Sequence, residues 1–287
     1  MNYCSPNINT SDHFTCFSQE ELVSIADAFN KYIKKYDKHN NHSKHNKNNL
    51  NLINLNENNT KQNLWNEIYN RLKNVCKYEY CWIDLKFVDS ISDKNLRKKI
   101  KFFTFKPKMT MYQYSWLSTN DINYVLKQYE KLDKNFKFVG ALPSDFYKII
   151  PKKMLKDIYK DILNYSRIGF VFNLDKHNQS GSHWVALYID HNSKTIEYFD
   201  SLGNTPNKYI LKFIESINVK ISEKYNYNFK ILINNITHQL ENSECGIYSI
   251  YYIIHRLFGD SFDELSTFII RDEKMNKFRN QIFRPRN

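Results

Sequence analysis

The sequence predicts an α+β protein, with a central and partly antiparallel sheet flanked by helices. Three observations carry this reading. β-rich runs cover 168–174, 183–189 and 195–199, and the turn Asp190-His191-Asn192-Ser193 between the last two suits a hairpin. Apolar residues recur at helical spacing on both sides of those runs. Hydrophobic residues make up 41% of the 287, with 21 Tyr and 20 Phe, which is enough for a core and excludes a wholly disordered chain.

In chain order, Ser18-Gln19-Glu20-Glu21 reads as a capping box. Leu22, Ile25, Ala26, Phe29 and Ile33 then form the stripe of an amphipathic helix, and 1–37 is expected to be an N-terminal helical arm. Residues 38–63 read as an Asn/Lys/His-rich flexible linker: 39–49 hold no apolar side chain and cannot offset their ordering entropy. The three His in that run have no regular ligand spacing. A second helix, with Leu64, Ile68, Tyr69, Leu72 and Val75 on one face, opens a domain expected to span 64–287. The pattern from Tyr78 is mixed until 116–129, where Ile122, Val125, Leu126 and Tyr129 mark a helix. Pro151 starts another, ending at Tyr165. After the three strands, a helix from Pro206 to Ile221 turns Ile210, Leu211, Ile214 and Ile217 inward. A strand over 229–236 follows, then a helix from Cys245 to Leu257 and a basic helical tail.

Composition excludes several classes. With 6 Gly and 6 Pro the chain is neither collagen-like nor a Pro-rich linker. No stretch approaches the roughly 18 apolar residues of a membrane span. The start, Met-Asn-Tyr-Cys-Ser-Pro, lacks the basic and apolar regions of a secretory signal. Lys and Arg number 42 against 30 Asp and Glu, a net charge of +12 that favours acidic partners such as nucleic acid. The richness in Lys, Asn, Ile and Tyr also fits drift toward A/T-rich codons, which explains the charge without a partner. Of the five cysteines, Cys4, Cys16, Cys76, Cys81 and Cys245, no two have C-x-x-C spacing. An odd count without that spacing argues against a disulfide framework and a zinc site, and for an intracellular reducing compartment.

Four polar residues stand at the ends of these elements. His183 begins one hairpin strand and Asp200 ends the other. Antiparallel pairing brings both to one edge, where a carboxylate can orient an imidazole and stabilise its protonated form. Cys245 stands where a loop becomes a helix, at the positive end of the dipole, which favours a thiolate. Gly246 permits close approach of backbone or substrate. Gln239, six residues before the cysteine, carries a neutral amide able to donate to an oxyanion without competing with His183 for the proton. Each residue alone is ordinary strand-end, turn or loop chemistry; their joint order carries the signal.

That order resembles a known family. Gly181-Ser182-His183-Trp184-Val185-Ala186-Leu187, Ile196-Glu197-Tyr198-Phe199-Asp200-Ser201, His238-Gln239 and Glu244-Cys245-Gly246 resemble the Ulp/adenovirus-proteinase class of cysteine proteases. Within it the chain looks most like the SUMO-protease-like, polyprotein-processing thiol proteases of large DNA viruses, the African swine fever virus and mimivirus type. The likeness spans about Trp116 to Phe283 and includes Asp272-Glu273-Lys274-Met275 and Phe278-Arg279 in the tail. It implies a papain-like, Ulp-type fold, with Cys245 as nucleophile, His183 as general base, Asp200 as orienting acid and Gln239 as oxyanion donor. Some viral relatives place a Gln nearer the Cys, where this chain has Asn242. Trp184 and Trp116 match the family's walls of a narrow tunnel for a Gly-Gly segment, although extra residues separate Leu117 from Asp121 in the second motif.

The expected function is therefore a cysteine endopeptidase cutting after Gly-Gly-type sequences through a thioester. No metal or organic cofactor and no membrane partner is expected. By resemblance its substrate is a viral core polyprotein, its place the virion or host cytoplasm, and nucleic acid a possible activator or packaging partner. Three rivals stand: a SUMO- or ubiquitin-like isopeptidase, an acetyl-CoA-dependent acyltransferase with the same residues, and an inactive basic DNA-binding module.

Overall fold

In the computed structural model, which describes residues 3–8, 14–40, 52–56, 58–109 and 114–286, the first helix starts at its capping box. Ser18 N donates to Glu21 Oε2 at 2.8 Å and Glu21 N to Ser18 Oγ at 3.2 Å. Helix α1 (Gln19–Asn40) runs beyond the expected end and buries Leu22, Ile25 and Ala26. Around it pack α2 (Lys61–Leu72), α3 (Glu79–Trp82), a 3₁₀ turn (Lys86–Ser90) and α4 (Lys94–Phe103), with Phe17, Leu64, Ile68, Trp82 and Ile100 in one core. Val75, expected on the α2 stripe, falls past the helix end and is exposed.

The chain divides into two compact units, 1–106 with 286–287, and 107–285. This places α2 in the first unit, because its buried Leu64, Ile68 and Leu72 face the α1 core. Part of the expected linker is also docked. Asn30 Nδ2 donates to Ile53 O and Ile53 N to Asn30 Oδ1, both at 2.8 Å, and Ile53 is buried. The His/Asn run at 41–51 lies outside the described residues.

Cysteine usage corrects the sequence reading. Cys4 pairs with Cys16, and Cys76 with Cys81, at Cα–Cα separations of 5.5 and 5.8 Å, within disulfide reach. The odd count that argued against a framework is two pairs plus a buried free thiol, Cys245. Both pairs are local, 12 and 5 residues apart, and a search for C-x-x-C spacing passes over them.

The second unit is built on a five-stranded mixed sheet in the order β1 (Phe136–Pro143), β2 (Arg167–Asn173), β3 (Trp184–Asp190), β4 (Thr195–Phe199) and β5 (Lys230–Ile233). β1–β2 and β4–β5 are parallel, whereas β2–β3 and β3–β4 are antiparallel. The expected hairpin is β3–β4, with Ala186 opposite Phe199 and Asp190 opposite Thr195. Strand β1 was hidden by its bulge at Phe138/Gly140, although Phe136 and Phe138 show the alternation of a half-buried strand. Helices α5 (Thr119–Leu132), α6 (Phe146–Ile149), α7 (Lys152–Asn164), α8 (Lys208–Tyr225), α9 (Cys245–Phe258), α10 (Phe262–Thr267) and α11 (Asp272–Ile282) complete the unit. Val185, Leu187 and Ile189 of β3 join Ile158, Ile162, Ile210 and Ile214 of α7 and α8. Trp184, Ala186 and Tyr188 turn to the other face, where Val125, Ile250 and Ile253 of α5 and α9 lie.

Helix α9 is apolar nearly all round, and its Arg256 meets two carboxylates on the sheet, Glu197 of β4 and, at 3.4 Å, Asp190 of β3. Arg256 donates to the Glu197 carboxylate from Nε at 2.7 Å and Nη2 at 2.9 Å, and Tyr252 Oη at 2.6 Å. This ion pair fixes the helix that carries Cys245 against the sheet that carries His183. Arg256→Met should leave Glu197 buried without its partner and cost roughly 3–5 kcal/mol. The measurement is the urea midpoint, which should fall at unchanged m-value. Under denaturing, non-reducing conditions iodoacetamide should label Cys245 and no other cysteine, and all five after reduction, as read by intact mass.

Candidate active site

The hairpin register determines what meets at its open end. His183 immediately precedes β3 and Asp200 immediately follows β4. His183 Nε2 lies 2.6 Å from Asp200 Oδ1, and the Asp200 side chain is fully buried. The second ring nitrogen is left for Cys245, which heads α9 at 2% exposure and whose thiol acts on the titration of the same imidazole. Thus three of the predicted residues converge, in the chain order His, Asp, Cys.

Asp200 is held by a residue the sequence reading passed over. Asp200 N donates to Asn234 Oδ1 at 2.7 Å, and Asn234 Nδ2 returns a bond to Asp200 O at 2.8 Å. Asn234 follows β5, so the parallel β4–β5 pairing brings the amide there. An Asn directly after an alternating strand was the available signal, but only the strand order gives it meaning. Beyond Asp200 the chain turns through Gly203 at φ 73°, where a Cβ would lie 2.9 Å from the Ile236 carbonyl carbon. Only glycine fits there.

Gln239 is buried beside this turn. Its Oε1 accepts from Ser201 Oγ at 2.7 Å, so its Nε2 is fixed as the donor end. One Nε2 proton goes to Glu241 O at 2.5 Å, and the amide carries a second N–H. The first N–H groups of α9 have no intrahelical acceptor and are further donors beside Cys245. Asn242 is exposed and lines a separate cleft of about 800 Å³ with Leu240, Glu241, Arg271 and Glu273.

Trp116 and Trp184 line one cleft of about 550 Å³, together with Leu117, Asn173, His177 and Gly181. Trp184 is buried and its Nε1 donates to Leu117 O at 2.9 Å, whereas Trp116 is 47% exposed. Leu117 also explains Gly246: a Cβ there would meet the Leu117 side chain at 3.1 Å. The close approach that Gly246 allows is thus that of the tryptophan-bearing segment. The residues inserted before Asp121 form the first turn of α5, and Asp121 caps it by accepting from Ser118 N at 2.8 Å and Ser118 Oγ at 2.7 Å.

A buried thiol, an imidazole oriented by a buried carboxyl, and helix N–H donors define a cysteine peptidase site. The Ulp1 protease family, C-terminal catalytic domain, matches residues 92–286, and the chain belongs to that family. It is 32% identical over 287 residues to an Acanthamoeba polyphaga mimivirus protein assigned as a thiol protease, covering 99% of this chain and 94% of that one. Over 118 residues it is 36% identical to a SUMO-1 cysteine protease of African swine fever virus, covering 40% of this chain and 43% of that one. The crystal structure of an African swine fever virus protease has the same fold, with a TM-score of 0.67, 23% identity and coverage of 99% of this chain and 96% of that one.

The site has a pH signature. Burial alone would lower the His183 pKa, but hydrogen bonds to Asp200 and Cys245, with the charges of both, outweigh it and raise the value from 6.5 to about 9. The raised value means that the proton stabilises the folded state fully below 6.5, and that this contribution is lost as pH rises through about 9. The same loss removes the acid that protonates a leaving amine. Peptidase kcat/KM should therefore decline on its alkaline side with an apparent pKa of about 9. Asp200→Asn should move that limb to lower pH and cut kcat/KM by roughly 10²–10⁴. A limb that does not move would assign it to another group.

Proposed function

We propose that this cysteine peptidase is an endopeptidase that cuts after Gly-Gly-type sequences, with Cys245 as nucleophile, His183 as base and acid, Asp200 as orienting group and Gln239 as oxyanion donor. One observation carries the specificity: both Trp116 and Trp184 line the same cleft, on the segments that flank Gly246 and His183. Indole walls accept an unsubstituted backbone and exclude residues with a Cβ, so selection is steric.

In the reaction, His183 holds the proton lost by Cys245 and the thiolate attacks the carbonyl carbon of the second Gly. The oxyanion is met by Gln239 Nε2 and the helix N–H groups. His183 then protonates the departing amine, and the thioester is hydrolysed by water that His183 deprotonates. Residues 107–285 supply every group in this scheme.

The sequence resemblance supports a viral core polyprotein as substrate, with action in the virion or host cytoplasm. The charge of +12 supports nucleic acid as activator or packaging partner. The isopeptidase reading draws on the name of the African swine fever virus relative, a SUMO-1 cysteine protease.

The test is a fluorogenic peptide amide ending in Gly-Gly, assayed with and without DNA. Turnover should vanish in Cys245→Ala and drop at least about 100-fold when Ala replaces the second Gly. Cleavage of a SUMO conjugate in preference to polyprotein fragments would favour the isopeptidase. Absence of turnover on every substrate, in a protein whose Cys245 labels fully, would sink the endopeptidase reading.

A further inference from the structure

The tail motif ending in Phe278-Arg279 has no role in the scheme above, yet Arg279 is 0% exposed and among the largest fully buried side chains. Its Nη1 donates to Ser115 O at 3.0 Å and its Nη2 to Ser243 O at 3.4 Å, while Nε is buried without an acceptor. A buried guanidinium held mainly by two carbonyls is an expensive choice if packing is all that is needed.

The two carbonyls belong to the two segments that make the site. Ser115 directly precedes Trp116 and Leu117, and Ser243 lies two residues before Cys245. Leu117 in turn accepts from Trp184 Nε1 and packs at van der Waals limit on Gly246. The loop before Cys245 is tied to the same helix at a second point: Asp272 Oδ2 accepts from Leu240 N at 2.9 Å and Glu241 N at 3.0 Å. Around the cation, Glu244 is buried and accepts from Ser243 N at 2.9 Å and Ser243 Oγ at 2.6 Å. Burial lowers the Arg279 pKa, and the charges of Glu244, Asp121 and Cys245 oppose that shift.

We infer that Arg279 is a positioning residue that clamps the Trp116 wall to the loop before the nucleophile. By holding Ser243 O it sets the peptide plane that leads into Cys245, and with it the direction of the helix-start N–H groups. By holding Ser115 O it sets the distance of the indole wall from that sulfur. Rigid fork geometry makes Arg suited to two acceptors on different segments, which the single ammonium of Lys cannot span equally. The loss of such alignment falls on the chemical step more than on substrate binding.

The catalytic part of this inference rests on the endopeptidase reading; the clamp itself does not, so the experiment has two readouts. Arg279→Met alone leaves Glu244 uncompensated and is expected to lower Tm. Arg279→Met with Glu244→Gln removes both charges and should restore folding. In the refolded double variant, hydrogen exchange of the 114–118 and 240–244 amides should quicken about tenfold, while β3 stays protected. On the Gly-Gly peptide its kcat should fall about 30-fold with KM within about threefold, and Arg279→Lys should lie between it and the parent. A folded double variant with parent-like exchange in both segments overturns the clamp. If the double variant does not fold, Arg279→Lys decides: unchanged exchange and kcat would overturn it. A double variant that shows the exchange difference, beside a parent that cleaves no peptide, would refute the endopeptidase reading and keep the clamp.

Discussion

A carboxyl group without solvent exposure must find its partners inside the protein, and for Asp200 those partners organise the second unit. One oxygen meets His183 and also accepts from Leu202 N at 2.8 Å, and the backbone on either side is gripped by Asn234. The His183 contact requires β3 and β4 to pair in one register, because a slip of one residue would turn either side chain to the opposite face. The Asn234 contact requires β5 to lie parallel on the far side of β4. From the same turn Ser201 orients the Gln239 amide. The positions of Asp200, His183 and Gln239 are thus consequences of one strand arrangement.

The nucleophile enters from elsewhere, and its placement is a packing problem. Helix α9 is nearly all apolar, so hydrophobic burial gives adhesion but little direction. Direction comes from the Glu197–Arg256–Tyr252 contacts at its far part and from Leu117 on Gly246 at its start. Leu117 has two roles, since its carbonyl also receives the Trp184 indole. The same residue therefore sets the height of the sulfur over the sheet and the position of one wall of the cleft.

The meeting of His183, Asp200 and Cys245 was legible in the sequence because they sit at ends of elements, where polar residues stand out against apolar periodicity. His183 and Asp200 were joined by a hairpin whose turn is short enough to read. Cys245 was marked by the apolar helix it opens. Partners that act across sequence-distant elements were not legible. Asn234 needs the β4–β5 neighbourhood, and Arg279 needs a tail helix folded back on two loops. The two disulfides escaped although their partners lie only 12 and 5 residues apart, because an odd count was read against pairing, and β1 escaped because a bulge breaks its period.

The burial of Cys245 at 2% exposure bears on how the enzyme can be blocked. Any electrophile has to reach a sulfur packed in the same buried cluster as Leu117 and Trp184. If the cleft lined by Trp116 and Trp184 is the approach to that sulfur, as proposed, a warhead would have to travel at the tip of an unbranched, glycine-like stem. Selectivity would then come from the shape of the carrier, and a mildly reactive group would suffice.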